Sequence, residues 1–230
     1  EANGILRPSD LTENRIVIID GGDGIFNNDD YFLFYGIGIH SWSYDSTNGF
    51  FNHSFNIYAE KTYYYITIDP SIGNKLRINA VDNTDQPENS IVNTYTHYDF
   101  YENDKYNFAE SGKQWFDEGF DIETSKTYNF TIPEPTGANA RITFSAGSTI
   151  SQTSTFSITL NGNSIANMLL GYIGDNDFIA LTNKSYLTPI TASPLQINIT
   201  YNKPQSSSVA YLDYIEFQIP SKLKFYKDQF

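Results

Sequence analysis

Apolar and polar residues alternate one by one in several stretches of this chain. Within residues 155–160, Phe156, Ile158 and Leu160 fall on one face and the residues between them are polar. A period of two is the pattern of a β-strand that is buried on one side. The Asn161-Gly162 pair that follows favours a tight hairpin turn. The sequence therefore predicts a half-buried strand that ends in a hairpin.

The same alternation predicts strands along most of the chain. Further predicted strands cover residues 15–20, 30–36, 61–69, 75–81, 126–133, 141–146, 195–201 and 210–219. Short strands at this spacing, separated by turn residues, are typical of β-sandwiches and jelly rolls. The predicted fold class is therefore all-β, with two β-sandwich or jelly-roll-like domains.

A polar stretch from Tyr101 to Lys113 interrupts the strand pattern and predicts a domain boundary. We place the first β domain at residues 1–105 and the second, more complete β-sandwich or jelly-roll domain at residues 106–230. The first domain opens with a polar loop, so we expect it to be truncated at its N-terminus. The chain begins at Glu1 without a methionine, and we expect it to be a piece of a longer protein.

Composition narrows the range of partners and of chemistry. The net charge of -13 argues against nucleic acid, because binding to phosphate backbones depends on basic residues. The chain has no cysteine, which excludes disulfides, thiolate metal sites and a cysteine nucleophile from these 230 residues. No apolar run approaches the ~20 residues that cross a bilayer, so no membrane span is predicted in this chain.

An acidic loop in the first domain is a candidate calcium site. Calcium takes six to eight oxygen ligands, and four carboxylates lie close together in sequence here: Asp20, Asp23, Asp29 and Asp30. The spacing does not fit an EF-hand, because Ile19 and Gly21 would occupy ligand positions. The alternative is a solvated turn in which glycines take positive φ and Asp or Asn side chains bind local amides.

Catalytic motifs are missing from the sequence. The three histidines, His40, His53 and His97, are scattered, and ordinary packed or surface histidines explain them. Asp213 and Glu216 are three residues apart in a predicted strand, so they should point to opposite faces and not form a catalytic carboxylate pair. Asp213 is expected on the apolar face of that strand, where a buried carboxylate needs hydrogen-bond partners.

Exposed aromatic rings offer an alternative function. Tyrosine and tryptophan rings stack on sugars when they lie on a surface, and the candidate platform residues are Trp42, Tyr44, Tyr63, Tyr65 and Trp115. On this interpretation the chain is a glycan-binding jelly-roll module of a surface polysaccharide system. The other interpretation of these rings is ordinary packing.

Four ordered blocks of sequence resemble a known family. They are GDGIFNNDDYFLFYGIG at 22–38, FFNHSFNIYAEKTYYYIT at 50–67, SGKQWFDEGFD at 111–121 and AYLDYIEF at 210–217. In this order they resemble the region ahead of the catalytic domain in gingipain-like cysteine peptidases, above all the sortase of the type IX secretion system of Bacteroidetes. The Asp117-Glu118-Gly119 segment departs from the Gly-Glu expected there, which leaves the subfamily open.

This resemblance implies a surface protein with a catalytic domain elsewhere. Such enzymes are secreted, associate with the outer membrane and use a His and Cys pair to cleave C-terminal sorting signals. None of those catalytic residues matches a residue here, so the resemblance implies a non-catalytic accessory or interaction module that requires no cofactor. The implied partners are its own downstream peptidase domain and other outer-membrane secretion components.

Overall fold

The computed structural model describes residues 10–56, 59, 61–69, 71, 73, 75–80, 91–108, 114–117 and 119–224. The chain divides into two compact units, Glu1–Glu88 and Asn89–Phe230. All regular structure in the described residues is β-strand, which confirms the predicted all-β class.

The first unit contains two small antiparallel hairpins. β1 (Ile16–Ile19) pairs with β2 (Tyr31–Phe34), and β3 (Ser41–Asp45) pairs with β4 (Phe50–Ser54). Arg77 joins β1 through an isolated parallel bridge to Ile16. Most side chains described in this unit are exposed or half-buried.

The second unit is a sandwich of two sheets. The four-stranded sheet has the order β10-β9-β12-β7, formed by β10 (Asn163–Leu170), β9 (Ser154–Leu160), β12 (Leu195–Asn202) and β7 (Ser125–Phe130). The five-stranded sheet has the order β11-β8-β13-β5, formed by β11 (Ala180–Pro189), β8 (Asn139–Ser148), β13 (Ala210–Lys222) and β5 (Thr94–Glu102), and the short β6 (Gly119–Phe120) also pairs with β13.

The inward faces of the two sheets form one hydrophobic core. Fully buried residues from both sheets meet there, including Phe144, Phe156, Ile197, Leu212 and Phe217. Buried residues alternate with half-buried ones along β9 and with half-buried or exposed ones along β12, as expected for strands with one face on a core. Burial of these side chains is the main source of stability for the second unit.

Several predicted strands are present, and two predictions differ from the structure. Residues 61–69 form no strand, and of residues 75–81 the structure shows only the bridge at Arg77, with Val81 outside the described residues. A strand requires a hydrogen-bonded neighbour as well as β-forming side chains. No such ladder involves these segments in the part of the chain that the structure describes.

The boundary between units also differs from the predicted position near residue 105. β5 pairs with β13 along its whole length, from Thr94 opposite Lys222 to Glu102 opposite Tyr214. This pairing fixes β5 in the five-stranded sheet, so the polar stretch that begins at Tyr101 lies within the second unit.

A β-bulge corrects the predicted orientation of Asp213. The register between β13 and β8 shifts between Leu212 and Tyr214, so alternation restarts after one extra residue. Leu212 and Ile215 both face the core, while Asp213 contacts Ser145 on the other side of the sheet. The prediction that Asp213 shares the apolar face, opposite to Glu216, was therefore wrong.

Candidate functional site

The outer face of the five-stranded sheet carries buried polar side chains. Phe144 and Ala146 of β8 face the core, so Ser145 between them faces outward. Five polar residues on the outer face of this sheet are nearly inaccessible to solvent: Thr143, Ser145, Asp213, Glu216 and Gln218. Buried polar groups are uncommon without partners and mark places where the fold is specified or functional.

Asp213 is a buried carboxylate of this face. One carboxylate oxygen, Oδ2, accepts hydrogen bonds from Ser145 Oγ at 2.8 Å and from Gln114 Nε2 at 3.0 Å. Burial raises the pKa of Asp213 to about 6, and the negative charge of Asp104 acts in the same direction, against the two hydrogen bonds. Burial disfavours the ionised form because the protein solvates charge less well than water does.

Glu102 lies beside this group on β5, opposite Tyr214 in the ladder. Burial, together with the negative charges of Asp104 and Asp213, raises the pKa of Glu102 to about 7. Burial also raises the pKa of Tyr214 to about 12, with added repulsion from Glu216. The Tyr214 hydroxyl accepts a hydrogen bond from Asn183 Nδ2.

The Glu102 and Asp213 carboxyl groups can therefore gain or lose protons between mildly acidic and neutral pH. A protonated carboxyl donates a hydrogen bond, whereas an ionised one only accepts. The described residues hold no group of three or more His, Cys, Asp or Glu side chains placed to bind a metal ion. Burial of these carboxyl groups therefore makes the stability of the folded state depend on their protonation.

Asp117 joins the loop after β5 to the sandwich. Its carboxylate accepts hydrogen bonds from Tyr101 Oη at 2.7 Å and Asn103 Nδ2 at 3.2 Å, and it forms an ion pair with Lys105 at 3.0 Å. Its backbone N–H donates to the carbonyl of Leu212 at 2.8 Å. The residue where the sequence departs from the family pattern is therefore a buried structural anchor.

The acidic loop of the first unit forms local turns. Asp20 Oδ1 accepts from the amide of Gly22 at 3.1 Å, Asp23 Oδ1 from Ile25 at 2.9 Å and Asp30 Oδ2 from Asn27 at 2.6 Å. Gly21, Gly22 and Gly24 have positive φ. The loop has the features of the solvated turn, and binding of calcium by Asp20, Asp23, Asp29 and Asp30 stays a prediction.

The candidate stacking residues occupy different environments. Tyr63 and Tyr65 are 72% and 76% exposed, and the Tyr64 ring between them packs on Phe34 with centroids 5.0 Å apart. Trp42 is half-buried and stacks on His53 at 4.0 Å. Trp115, in the second unit, is 38% exposed. Sugar binding by these rings stays a prediction.

The two histidines of the first unit, His40 and His53, pack with Trp42 and Phe55 in one group of rings. His53 also contacts Phe55, with ring centroids 3.9 Å apart, and meets His40 edge-on at 5.6 Å. Burial, together with the neighbouring His40, lowers the pKa of His53 to about 4. Burial likewise lowers the pKa of His40 and of His97 on β5. These histidines are therefore neutral, packed groups at physiological pH.

A small pocket lies among the loops of the second unit. Its volume is about 190 Å³, and it is lined by Phe108, Gln114, Phe116, Asn176, Asp177, Phe178 and Ile179. Gln114 links it to the buried face, since its side chain donates to Asp213.

The part of the chain that the structure describes contains no helix able to span a membrane.

Comparisons with known proteins include an extensive structural match. No protein-family model matches the chain, and no curated protein matches it in sequence. The crystal structure of dimeric latent PorU from Porphyromonas gingivalis matches with a TM-score of 0.69 and 14% identity, over 96% of this chain and 20% of PorU.

Two carbohydrate-binding modules match about half of the chain, and less well. A family 35 module from Clostridium thermocellum has a TM-score of 0.38 and 11% identity, over 55% of this chain and 98% of the module. The family 36 module solved with calcium and xylotriose has a TM-score of 0.33 and 15% identity, over 53% and 98%. Likenesses at this level carry no functional argument.

The PorU match agrees with the resemblance to gingipain-like cysteine peptidases seen in the sequence. The chain spans about a fifth of PorU and is matched over nearly all of its own length. At 14% identity this likeness establishes fold and not activity. The chain therefore has the all-β architecture of a PorU segment.

Proposed function

We propose that this chain is a non-catalytic accessory and interaction module that precedes the caspase-like peptidase domain of a secreted surface cysteine peptidase or sortase. The observation that carries the proposal is the match to PorU over 96% of the chain. The absence of cysteine supports it, because the chain has no thiol with which to cleave peptides. On this proposal the parent protein processes C-terminal sorting signals at the outer membrane.

Exposed apolar side chains of the first unit are the candidate contacts for this role. Beside Tyr63 and Tyr65, Ile66 and Ile68 are strongly exposed, Ile68 at 96%, and Tyr35 is exposed at the end of β2. Large exposed apolar patches mark interaction sites. We assign the peptidase domain of the same protein as the partner that contacts these side chains. The reason is that the chain matches only a fifth of PorU, so most of a protein of that kind lies outside the matched segment.

The first prediction concerns this intramolecular partner. When this chain and the peptidase domain of the same gene are produced as separate polypeptides, they should form a one-to-one complex. Replacing Tyr35 and Ile68 by serine should weaken the complex by about tenfold or more, because buried aromatic and aliphatic anchors dominate such interfaces. Isothermal titration calorimetry of wild-type and variant chains measures this directly.

A matched control is available in the second unit. Leu187 and Ile122 are also strongly exposed, so their replacement by serine removes similar apolar area elsewhere and should leave the affinity unchanged. Absence of any complex would contradict the proposed function. Equal weakening by both double variants would contradict the assigned contact residues, while the complex itself would still support the proposed function.

A further inference from the structure

The outer face of the four-stranded sheet consists of uncharged polar side chains. Its neighbouring strands β7, β12, β9 and β10 contain one charged residue, Lys126, whose ammonium lies 5.2 Å from the Phe120 ring centroid on the core side. Paired residues of an antiparallel ladder lie on one face, which gives this neutral face four rows. They are Asn129–Gln196, Thr127–Asn198–Thr159–Ser164, Ser125–Thr200–Ser157–Asn167 and Asn202–Thr155–Leu169.

Hydrogen bonds lock these side chains to one another across the strands. Asn198 Nδ2 lies within 3.1 Å of Ser125 Oγ and 3.0 Å of Thr127 Oγ1. Asn202 Nδ2 makes the equivalent contacts with β9 on the same face, with Thr155 Oγ1 at 2.9 Å and Ser157 Oγ at 2.8 Å. The amides are thereby held in fixed positions, which reduces the conformational entropy lost when a ligand binds.

The locked side chains keep capacity for further hydrogen bonds. Ser157 Oγ donates to Asn167 Oδ1 at 2.9 Å, and Gln196 Nε2 donates to Asn129 Oδ1 at 3.2 Å. Each amide oxygen and hydroxyl has more than one lone pair, and each amide nitrogen has two hydrogens. Strands lie ~4.8 Å apart, and side chains on one face repeat every ~6.8 Å along a strand. The result is a regular grid of mixed donors and acceptors.

We infer that this neutral face binds a neutral polysaccharide. Sugar hydroxyls both donate and accept, so they match a grid of amides and hydroxyls, and a ligand without charge suits a face without charge. Anionic glycans and nucleic acids would require cationic side chains. A lipid surface or an amphipathic helix would require apolar area, and Leu169 at the border is the one apolar member of the rows.

This inference is independent of the proposed peptidase partner and of the aromatic residues considered above. The face lies wholly in the second unit and uses neither Trp115 nor the loop pocket. No sequence motif marks the polar residues of this face as a binding site.

Affinity gel electrophoresis of the full chain tests the inference. The gels contain mannan, xylan, β-glucan, galactan or dextran, with alginate as an anionic contrast. We expect retardation in at least one neutral gel and none in alginate. Solution binding to the same glycan should be unchanged when salt is raised to about 0.5 M, because salt screens charge and leaves neutral hydrogen bonding intact.

Variants locate the binding surface. Asn167→Leu with Asn198→Leu removes two amides of the face with little change of volume and should weaken binding by about tenfold or more. Asn93→Leu with Asn176→Leu makes the same chemical change off the face, at the residue just before β5 and at the loop pocket. That control should bind as the wild type does. Thermal melts identify a misfolded variant, in which case Asn129→Leu with Gln196→Leu replaces the face pair.

Four results would overturn the inference, and the first three concern the gels and the face variants. They are no retardation in any neutral gel, retardation in alginate alone, and wild-type binding by a folded face variant. Loss of binding in the control pair alone would place the glycan away from the face and would overturn it as well.

Discussion

Replacing Phe156 by alanine should lower the free energy of unfolding of the second unit by about 3–5 kcal/mol. Phe156 is fully buried between the sheets, with its ring centroid 4.8 Å from that of Phe120 and 5.7 Å from that of Tyr201. The substitution removes apolar contacts and leaves a cavity that close-packed neighbours fill only in part. Urea unfolding followed by circular dichroism measures the loss as a lower midpoint with an unchanged slope.

Phe178→Ala is the matched control for this substitution. Phe178 is 69% exposed in the loop region, so its removal should change the free energy of unfolding by less than about 0.5 kcal/mol. Equal effects of the two variants, or a loss below about 1 kcal/mol for Phe156, would contradict a core packed between the two sheets.

Replacing Asp213 by asparagine should stabilise the protein at pH 8 by about 1–3 kcal/mol. The folded-state pKa of Asp213 is about 6, against an ordinary value of 3.8, so the folded protein holds this proton more tightly. The stabilisation that protonation gives is full below about pH 4 and is lost as pH rises through about 6. At pH 8 the wild type must keep an ionised carboxylate buried, whereas asparagine stays neutral and its oxygen still accepts from Ser145 and Gln114.

Thermal or urea unfolding across pH 4–8 measures this difference. The wild type should lose stability relative to Asp213→Asn as pH rises, and the two should converge near pH 4. Asp175→Asn, at an exposed position, should follow the wild-type profile throughout. A destabilised Asp213→Asn at pH 8, or a constant difference at all pH values, would show that the buried carboxylate acts through something other than its charge.

Strands with one face on the core could be predicted from the sequence. β9 and β12 alternate without interruption, so their period of two is visible in the residues themselves. β11 is an edge strand with mostly exposed side chains, and its residues lack that pattern. Residues 61–69 are the opposite case, because they have the strand pattern in sequence but form no strand in the structure. β-Forming aromatic residues make a strand only when a neighbouring strand pairs with them.

The buried acidic face could not be predicted from residue spacing. Its two key carboxyl groups, Glu102 and Asp213, lie on β5 and β13, which are distant in sequence and adjacent in the sheet. The bulge at Asp213 inserts one residue that no local pattern reveals, and it reverses the orientation expected from strict alternation. The one sequence feature that pointed to this face was the Asp213 carboxylate among apolar residues. It identified the buried carboxylate correctly but placed it on the core-facing side of β13.

The reading frame that follows the Phe230 codon in the source DNA tests the central claim most directly. The accessory-module account predicts that it encodes a caspase-like domain with a His and Cys pair. A stop codon, or a glycoside hydrolase domain in that place, would contradict the account.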